Sequence, residues 1–449
     1  MSTSIGRQAV VVGAGMGGLS AGAVLSAHFD HVTVLDRDAL PGKPEPRPGT
    51  PQGRHLHALL AGGQEALERL FPNFATNLEN AGAVKLRAGL DVAWEPPGFD
   101  PFPARDLGFD IFCMSRALLE FVTRRRLEER ENITLLPRCR VTEIVPSPKT
   151  AAVTGVRFED AEGRISTLRS DLVVDASGRG ALTHALLESL GVPTPEEAEI
   201  GIDIGYSTAI FEVPEDAPAG WKGLFHQPRA PESRRGGGVF PIENKQWIVG
   251  LSGRHGEAPP GDIDAFMAFA KQLRTASIYD AIKGAKRIGE IVRFSFACSV
   301  RRRFEKMEHF PHGLIPIADA ICRFNPVFGK GMSVAAQEAC ALDRLLKQRQ
   351  GLSEPLDGLA QAFFSETQPL LDTPWGVAEN DFIYPQTRGQ RPPDMERRFR
   401  YGAALMRLAA EDPSVHKTMA EVSNLLKPSS ALREPQIASR VTDLMNAVA

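Results

Sequence analysis

Residues 8–37 read QAVVVGAGMGGLSAGAVLSAHFDHVTVLDR, and this stretch decides the fold. Ala9, Val10, Val11 and Val12 lead into Gly13-Ala14-Gly15-Met16-Gly17-Gly18. A small-residue segment with helical potential follows, and an alternating run from His31 to Leu35 ends in Asp36. The order is strand, glycine turn, helix, strand, acid. Gly13 permits the tight turn, Gly15 lets the backbone approach a pyrophosphate, and Gly18 lets the helix pack closely on the strand. The helix N-terminus offers free N–H groups and positive potential to phosphate. Asp36 stands 18 residues after Gly18, near the spacing of about 20 at which a carboxylate meets a ribose hydroxyl. A glycine-rich turn without these neighbours would mean little; in this context it predicts a dinucleotide site.

The chain has 449 residues, beyond the size at which one core usually stops growing, so two or three domains are expected. Its 52 Lys+Arg balance 55 Asp+Glu, which leaves no electrostatic footprint for nucleic acid or an anionic membrane. Small-molecule chemistry is the default. The five cysteines, Cys113, Cys139, Cys298, Cys322 and Cys340, form no CxxC pair, so neither a disulfide framework nor a zinc site is indicated and a reducing cytoplasm fits. The N-terminus, MSTSIGRQ, has no basic segment before an apolar one, and a soluble, untargeted protein without integral membrane association is expected.

After Asp36 a Pro/Gly-rich connection, residues 40–53, excludes regular helix or strand. It delivers Arg54-His55-Leu56-His57, then ALLAGGQEALERLF, whose apolar spacing predicts a helix running to Phe71. His55 and His57 read as a helix-entry pair; without HExxH or a carboxylate cluster they are poor metal ligands. Ser115 caps a helix beginning at Arg116. The run Arg124-Arg125-Arg126, followed by Glu128, Glu129 and Glu131, reads as a solvated face of that helix with local ion pairs. Arg116 opposes the helix dipole and calls for an anion such as phosphate. Three strand-like segments, residues 140–145, 153–159 and 165–169, suggest a small meander. Residues 171–175, DLVVD, return as a buried parallel strand to the first sheet.

Residues 200–301 change to alternating and aromatic strand patterns interrupted by a helix over 263–273, which predicts a second, mostly antiparallel sheet. Gly236-Gly237-Gly238 lacks the following Lys-Ser/Thr and helix of a phosphate loop and reads as a turn or bulge. Residues 314–318 form another apolar strand ending at Asp319. Then come Asn325-Pro326-Val327-Phe328-Gly329-Lys330-Gly331-Met332 and a helix over 333–346, whose N-terminus is a second site for partial negative charge. The last hundred residues read as helical, and no repeat or low-complexity tract is visible.

Taken together, these residues resemble the FAD-dependent monooxygenases of the para-hydroxybenzoate hydroxylase class, and most widely its epoxidase-like branch. The resemblance rests on the N-terminal GxGxxG, PQGRHLHALLAGG at 51–63, SRALLE at 115–120 and DLVVDASGRG at 171–180. It continues through IPIADAICRFNPVFGKGMSVAAQEA at 315–339 and the late pattern of Trp375, Asp381, Tyr384 and Pro385. It implies an α/β fold with a Rossmann-like FAD-binding domain of the GR2-type flavoproteins, discontinuous over residues 1–199 and 302–350. A mostly antiparallel β-sheet substrate domain over 200–301 and a helical C-terminal region over 351–449 would complete it.

The resemblance also implies roles. Gly13, Gly15 and Gly18 would meet the FAD pyrophosphate, Asp36 the adenosine ribose, Arg37 the adenine side and Val141 the adenine through its backbone. Arg116 would reach the cofactor from its helix, and Asp319 would sit near the ribityl and pyrophosphate groups. Pro326, Gly329, Gly331 and Met332 would run past the flavin, with the following helix dipole at its N1/C2=O edge. Arg54 and His57 are the expected catalytic residues beside the isoalloxazine, His57 exchanging protons near neutral pH. Two departures stand out: Ala318 precedes Asp319 where the family has glycine, and Asp175-Ala176-Ser177-Gly178-Arg179 replaces the hydroxylases' DG motif.

The implied reaction is insertion of one oxygen atom from O2 into an apolar small molecule, by epoxidation or hydroxylation, through a flavin C4a-hydroperoxide. One fingerprint leaves no second nucleotide domain, so NAD(P)H binds transiently or a separate flavin reductase delivers electrons. The competing readings are an oxygen-independent flavin reductase or dehydrogenase acting on a prenyl-like or other apolar substrate, and a non-enzymatic flavoprotein. A halogenase is disfavoured because QWIVGL at 246–251 is not WxWxIP.

Overall fold

In the computed structural model, which describes residues 4–148 and 150–447, the apolar runs lie side by side in one five-stranded sheet. Met1, Ser2 and Thr3 of the N-terminal stretch read above lie outside the described residues. The sheet order is Leu314–Pro316, Leu172–Asp175, Gly6–Val12, Phe29–Leu35, Ile133–Leu136, and every pair is parallel. Val10, Val11, Val173 and Val174 are fully buried, as expected of strands covered on both faces. The helix Met16–Leu25 is buried along its whole length. Its small residues permit this: a Cβ added at Gly22 would already stand 3.2 Å from Leu127. The meander expected after residue 140 is present as Arg140–Pro146, Val153–Glu159 and Ile165–Arg169.

The second sheet has seven strands, ordered Cys322–Arg323, Arg287–Arg302, Glu197–Glu212, Gln246–Arg254, Arg235–Ile242, Gly223–His226, Val92–Glu95. All its pairs are antiparallel except the last, where Val92–Glu95 runs parallel to Gly223–His226. That edge is fixed by side chains: buried Glu95 takes hydrogen bonds from His226 Nδ1 at 3.0 Å and Ser277 at 2.6 Å. One face of the sheet packs Leu224, Val249 and Leu251 under the helices Ile263–Lys271 and Ser277–Ile282. The opposite face, carrying Tyr206, Thr208, Gly238, Gly250 and Arg254, lines a cavity and is the one that matters for the site.

Three local expectations are corrected. Gly236-Gly237-Gly238 is neither a turn nor a bulge; it lies inside the strand Arg235–Ile242, in unbroken register with Ser252, Leu251 and Gly250. A bed of missing side chains is what the strand needs there, because Cβ atoms at Gly238 and Gly250 would stand 3.3 and 3.2 Å from Leu56. Arg124 is not on a solvated face: it is buried and donates to the Pro41 carbonyl, while Arg125 and Arg126 keep their exposed pairs with Glu128 and Glu129. The helix expected to lead directly from the His55/His57 pair starts only at Ala61 and runs Ala61–Leu70, after a 3-10 turn at Pro51–Arg54.

The C-terminal part is helical, as read. The helix Leu359–Ala378 packs near Gly331–Gln348, and Met395–Glu411, Pro413–Ser423 and Pro435–Ala447 bury Leu405, Leu408, Val415 and Val441 together with Phe102. Among the described residues no helix is long and apolar enough to cross a membrane, and no group of three or more His, Cys, Asp or Glu could hold a metal ion.

Candidate functional site

The cleft begins at the glycine turn. Gly13 has φ +103° and donates its N–H to the Leu35 carbonyl at 2.7 Å. Gly18 lies so close to the turn that a Cβ there would fall 1.8 Å from the Gly13 carbonyl oxygen. Gly15, by contrast, has nothing within 4 Å of where its Cβ would be, and as N-cap it supplies no side chain to the first N–H groups of Met16–Leu25. The turn therefore presents uncapped donors beside open space, which suits an anion.

Asp36 is buried at the end of Phe29–Leu35. Its Oδ2 accepts the Ala14 N–H at 2.7 Å and its Oδ1 the Asp38 N–H at 2.8 Å. Arg47 Nη1 lies 3.2 Å from both oxygens and 2.8 Å from Asp38. Arg47 Nε donates to Glu120 at 2.5 Å, and Glu120 also pairs with Arg116 Nη2 at 2.9 Å. Burial opposes ionisation of Glu120, but Arg116 and Arg47 outweigh it and hold its carboxyl below the usual range. Arg116 keeps one buried nitrogen, Nη1, without a partner among the described residues. Arg47, Asp38 and Glu120 were not singled out in the sequence. The signal for Glu120 was its position four residues after a buried-end arginine; for Arg47 there was none, because a Pro-rich loop gives no periodicity. Arg37 is exposed, and half-buried Val141 sits on the strand whose preceding residue Cys139 donates its N–H to the Asp36 carbonyl at 2.9 Å.

The second half of the cleft comes from about 300 residues later. A Cβ on Gly17 would lie 2.8 Å from the Ala318 Cβ, so the two segments are in direct contact. Ala318 holds φ +61°, the left-handed conformation for which glycine is the usual residue. Its N–H is tied to Glu338 Oε2 at 2.7 Å. Glu338 is fully buried, its Oε1 has no partner among the described residues, and burial, with Asp319 nearby, pushes its carboxyl up to about 8. Asp319 is half-buried on the turn Ala318–Ala320, and desolvation raises it to about 6 against the pull of Arg323, Arg302 and Arg116. Gly331 adjoins it, since a Cβ there would stand 3.9 Å from Asp319 Oδ1. Met332, half-buried, follows in the first turn of Gly331–Gln348.

Residues 326–330, directly before Gly331, line a cavity of about 740 Å³. Its walls are the glycine-bedded face of the second sheet, the loop 55–60, the loop 326–330 and the helices Met395–Glu411 and Pro413–Ser423. The two loops touch: Gly329, at φ +63°, would carry a Cβ 3.0 Å from the Ala58 Cβ. His55 Nδ1 is 2.8 Å from Thr208 Oγ1, and His57 Nδ1 donates to the His55 carbonyl at 2.8 Å. Burial drives both imidazoles down to about 4. His57 thus lines the cavity as a neutral ring, and the expectation that it exchanges protons near neutral pH is corrected. Arg54 is exposed at the end of its 3-10 turn and is not part of the cavity wall.

Under the loop 326–330 lies a buried polar chain that the sequence showed only in part. Arg254 Nε is 3.3 Å from Asp381 Oδ1, Asn325 Nδ2 donates to Asp381 Oδ2 at 2.8 Å, and the Tyr206 hydroxyl donates to Asn325 Oδ1 at 2.8 Å. The Val327 N–H closes the chain on the Tyr206 oxygen at 3.1 Å. Asp381 belongs to the late pattern read above; Arg254 and Tyr206 come from separate strands with no motif. Desolvation raises the Asp381 carboxyl despite the opposing pull of Arg254. Lys330, buried and pulled down to about 8 by desolvation, donates to the Ser423 carbonyl and so links the loop to the C-terminal helices.

The comparisons agree with this architecture. Residues 8–227 match the family model for FAD dependent oxidoreductase. Protein Rv3254 of Mycobacterium tuberculosis is 33% identical over 352 residues, 76% of this chain and 73% of that protein. Among solved structures, the flavin-dependent brominase Bmp2 superposes with a TM-score of 0.67 at 16% identity, covering 99% of this chain and 98% of that one. PqsL of Pseudomonas aeruginosa, described as "a probable FAD-dependent monooxygenase", gives 0.61 at 14% identity over 84% of this chain and 98% of that one. At those identities the structural likeness speaks for the fold alone. The fingerprint, the fold and the family match converge on one conclusion: the chain is an enzyme of the FAD-dependent oxidoreductase family.

Proposed function

We propose that this oxidoreductase is a monooxygenase that inserts one oxygen atom from O2 into an apolar small molecule, by epoxidation or hydroxylation, in the manner of the para-hydroxybenzoate hydroxylase class. The observation that carries the reading is the cavity of about 740 Å³, walled largely by apolar side chains and bounded by the loop 326–330 that leads directly into Gly331. FAD fits the residues present: open space beside Gly15, uncapped helix donors and the orphaned Arg116 Nη1 all await an anionic group. On this reading Gly13, Gly15, Gly18 and Arg116 hold the pyrophosphate, and Asp36, Arg37 and Val141 the adenosine. Asp319, Pro326, Gly329, Gly331 and Met332 flank the rest. When bound, FAD supplies the redox chemistry and the activation of O2.

The chain's own residues have defined tasks. The apolar walls exclude water and leave the substrate's reacting carbon against the loop 326–330. The Tyr206–Asn325–Asp381 chain fixes that loop. His57 donates its Nδ1 N–H to a carbonyl, which can only accept, so the ring nitrogen left over, Nε2, carries a lone pair and, the buried ring staying neutral, accepts a hydrogen bond from the substrate without taking its proton. Residues 1–199 with 302–350, 200–301 and 351–449 would serve as cofactor, substrate and covering units. Electrons would come from NAD(P)H bound transiently or from a separate flavin reductase.

The test is turnover of candidate substrates under 18O2, with mass spectrometry for one labelled oxygen. Turnover at full rate under nitrogen would refute the proposal and point to the reductase or dehydrogenase reading. Bleaching of the flavin absorbance by NADPH or NADH under nitrogen, without added reductase, identifies the electron donor.

A further inference from the structure

Three cations line the cavity, and their partners differ. Arg398 is neutralised by Glu379 at 2.6 Å and Asp394 at 2.9 Å. Lys330 is held at the carbonyl end of Pro413–Ser423, where a helix terminus favours a cation. Arg254 has Asp381 on Nε and the Tyr384 ring 5.6 Å from its guanidinium carbon, yet its Nη1 is buried with no acceptor among the described residues. A buried guanidinium nitrogen without an acceptor is costly, and buried donors are almost always satisfied. Its charge, however, is already answered by Asp381, which is itself 3% exposed. The missing partner is therefore an acceptor oxygen without net charge: a carboxylate would leave two anions around one cation in a water-poor site.

From this we infer that Arg254 is the specificity-determining residue of the cavity and that it selects substrates with an apolar body carrying a neutral carbonyl-type oxygen. The inference rests on the cavity being the substrate site, as proposed above. The guanidinium is preorganised by Asp381, by the Tyr384 ring and by its place at the end of Gln246–Arg254, so the ligand does not have to order it. Asp381 passes the same fixation to Asn325 and hence to the loop 326–330. An oxygen seated on Arg254 would register the remainder of the substrate against that loop.

The test is binding, read by equilibrium dialysis and by the perturbation of the flavin spectrum of the FAD-loaded protein. The probes are 1-tetralone, the hydrocarbon tetralin and the matched tetralin-1-carboxylate. The ketone is expected to bind about tenfold or more tightly than the hydrocarbon, the range of one hydrogen bond to a charged donor. The carboxylate is expected to bind no better than the hydrocarbon. In Arg254→Met the ketone advantage should vanish. Because that variant leaves Asp381 buried and unpaired, Arg254→Met/Asp381→Leu removes the whole pair and keeps the comparison possible in a folded protein. Equal binding of ketone and hydrocarbon, tightest binding of the carboxylate, or a ketone preference surviving in the double variant would each overturn the inference. Selective ketone binding without incorporation of 18O would leave it standing while refuting the monooxygenase reading.

Discussion

Glu338 offers the sharpest test of how the cleft is held together. Its carboxyl is fully buried on Gly331–Gln348, accepts the Ala318 N–H at 2.7 Å, and is pushed by burial from the ordinary 4.5 up to about 8. Between those two pH values the folded state keeps a proton that the unfolded chain has released. Stability should therefore fall as pH rises from about 4.5 to about 8, by about 1.4 kcal/mol per pH unit. At pH 7 the loss amounts to roughly 3 kcal/mol. Glutamine at this position presents the same acceptor to Ala318 and has no proton to lose. With an unfolding entropy of about 2 cal/mol/K per residue over 449 residues, 3 kcal/mol corresponds to a Tm difference of about 3 °C. The experiment is differential scanning fluorimetry of both apo-proteins from pH 5 to 8. Glu338→Gln should match the parent to within about 1 °C at pH 5 and exceed it by about 3 °C at pH 7. A difference that stays constant with pH, or a Glu338→Gln protein less stable at pH 7, would refute the reasoning.

Further outcomes concern the glycines and the one alanine that stands where glycine is usual. Gly15→Ala should leave apo-protein stability unchanged, because its Cβ meets open space, but weaken FAD binding by fluorescence titration; Gly18→Ala should cost about 3 kcal/mol or more through its clash with the Gly13 carbonyl. Ala318→Gly should gain roughly 0.5–1 kcal/mol, the relief of a left-handed alanine less the extra freedom of the unfolded glycine. Gly17→Ala should lose about 1–3 kcal/mol against the Ala318 methyl group and recover most of it when combined with Ala318→Gly, a coupling that a double-mutant cycle measures. Gly250→Ala should push Leu56 off its bed at a cost of about 1 kcal/mol and accelerate hydrogen exchange across residues 55–60.

The order strand, glycine turn, helix, strand, acid was legible from the first thirty-seven residues, because each step is a local property: apolar runs bury, glycine permits φ +103° at Gly13, and small residues let Met16–Leu25 sink into the sheet. The buried return strand at Leu172–Asp175, the meander and the cap at Ser115 were equally local and equally readable. The unusual Ala318 could be named from the motif around it. That it sits at φ +61° and touches Gly17 could not.

Tertiary structure alone decided what faces what. The partners of Asp36, the insertion of Val92–Glu95 as the last strand of the second sheet and the chain from Arg254 to Val327 join residues between 2 and 182 positions apart in a single packed arrangement. The glycine triplet shows the same division: by composition it reads as a turn, while in the fold it is the gap in a strand that seats Leu56. His57 shows it for chemistry, since an imidazole takes its proton affinity from its surroundings, and burial, invisible in a sequence, made it neutral. Periodicity and turn chemistry are written along the chain; burial, hydrogen-bond pairing and the shape of a cavity come into being only when distant segments meet.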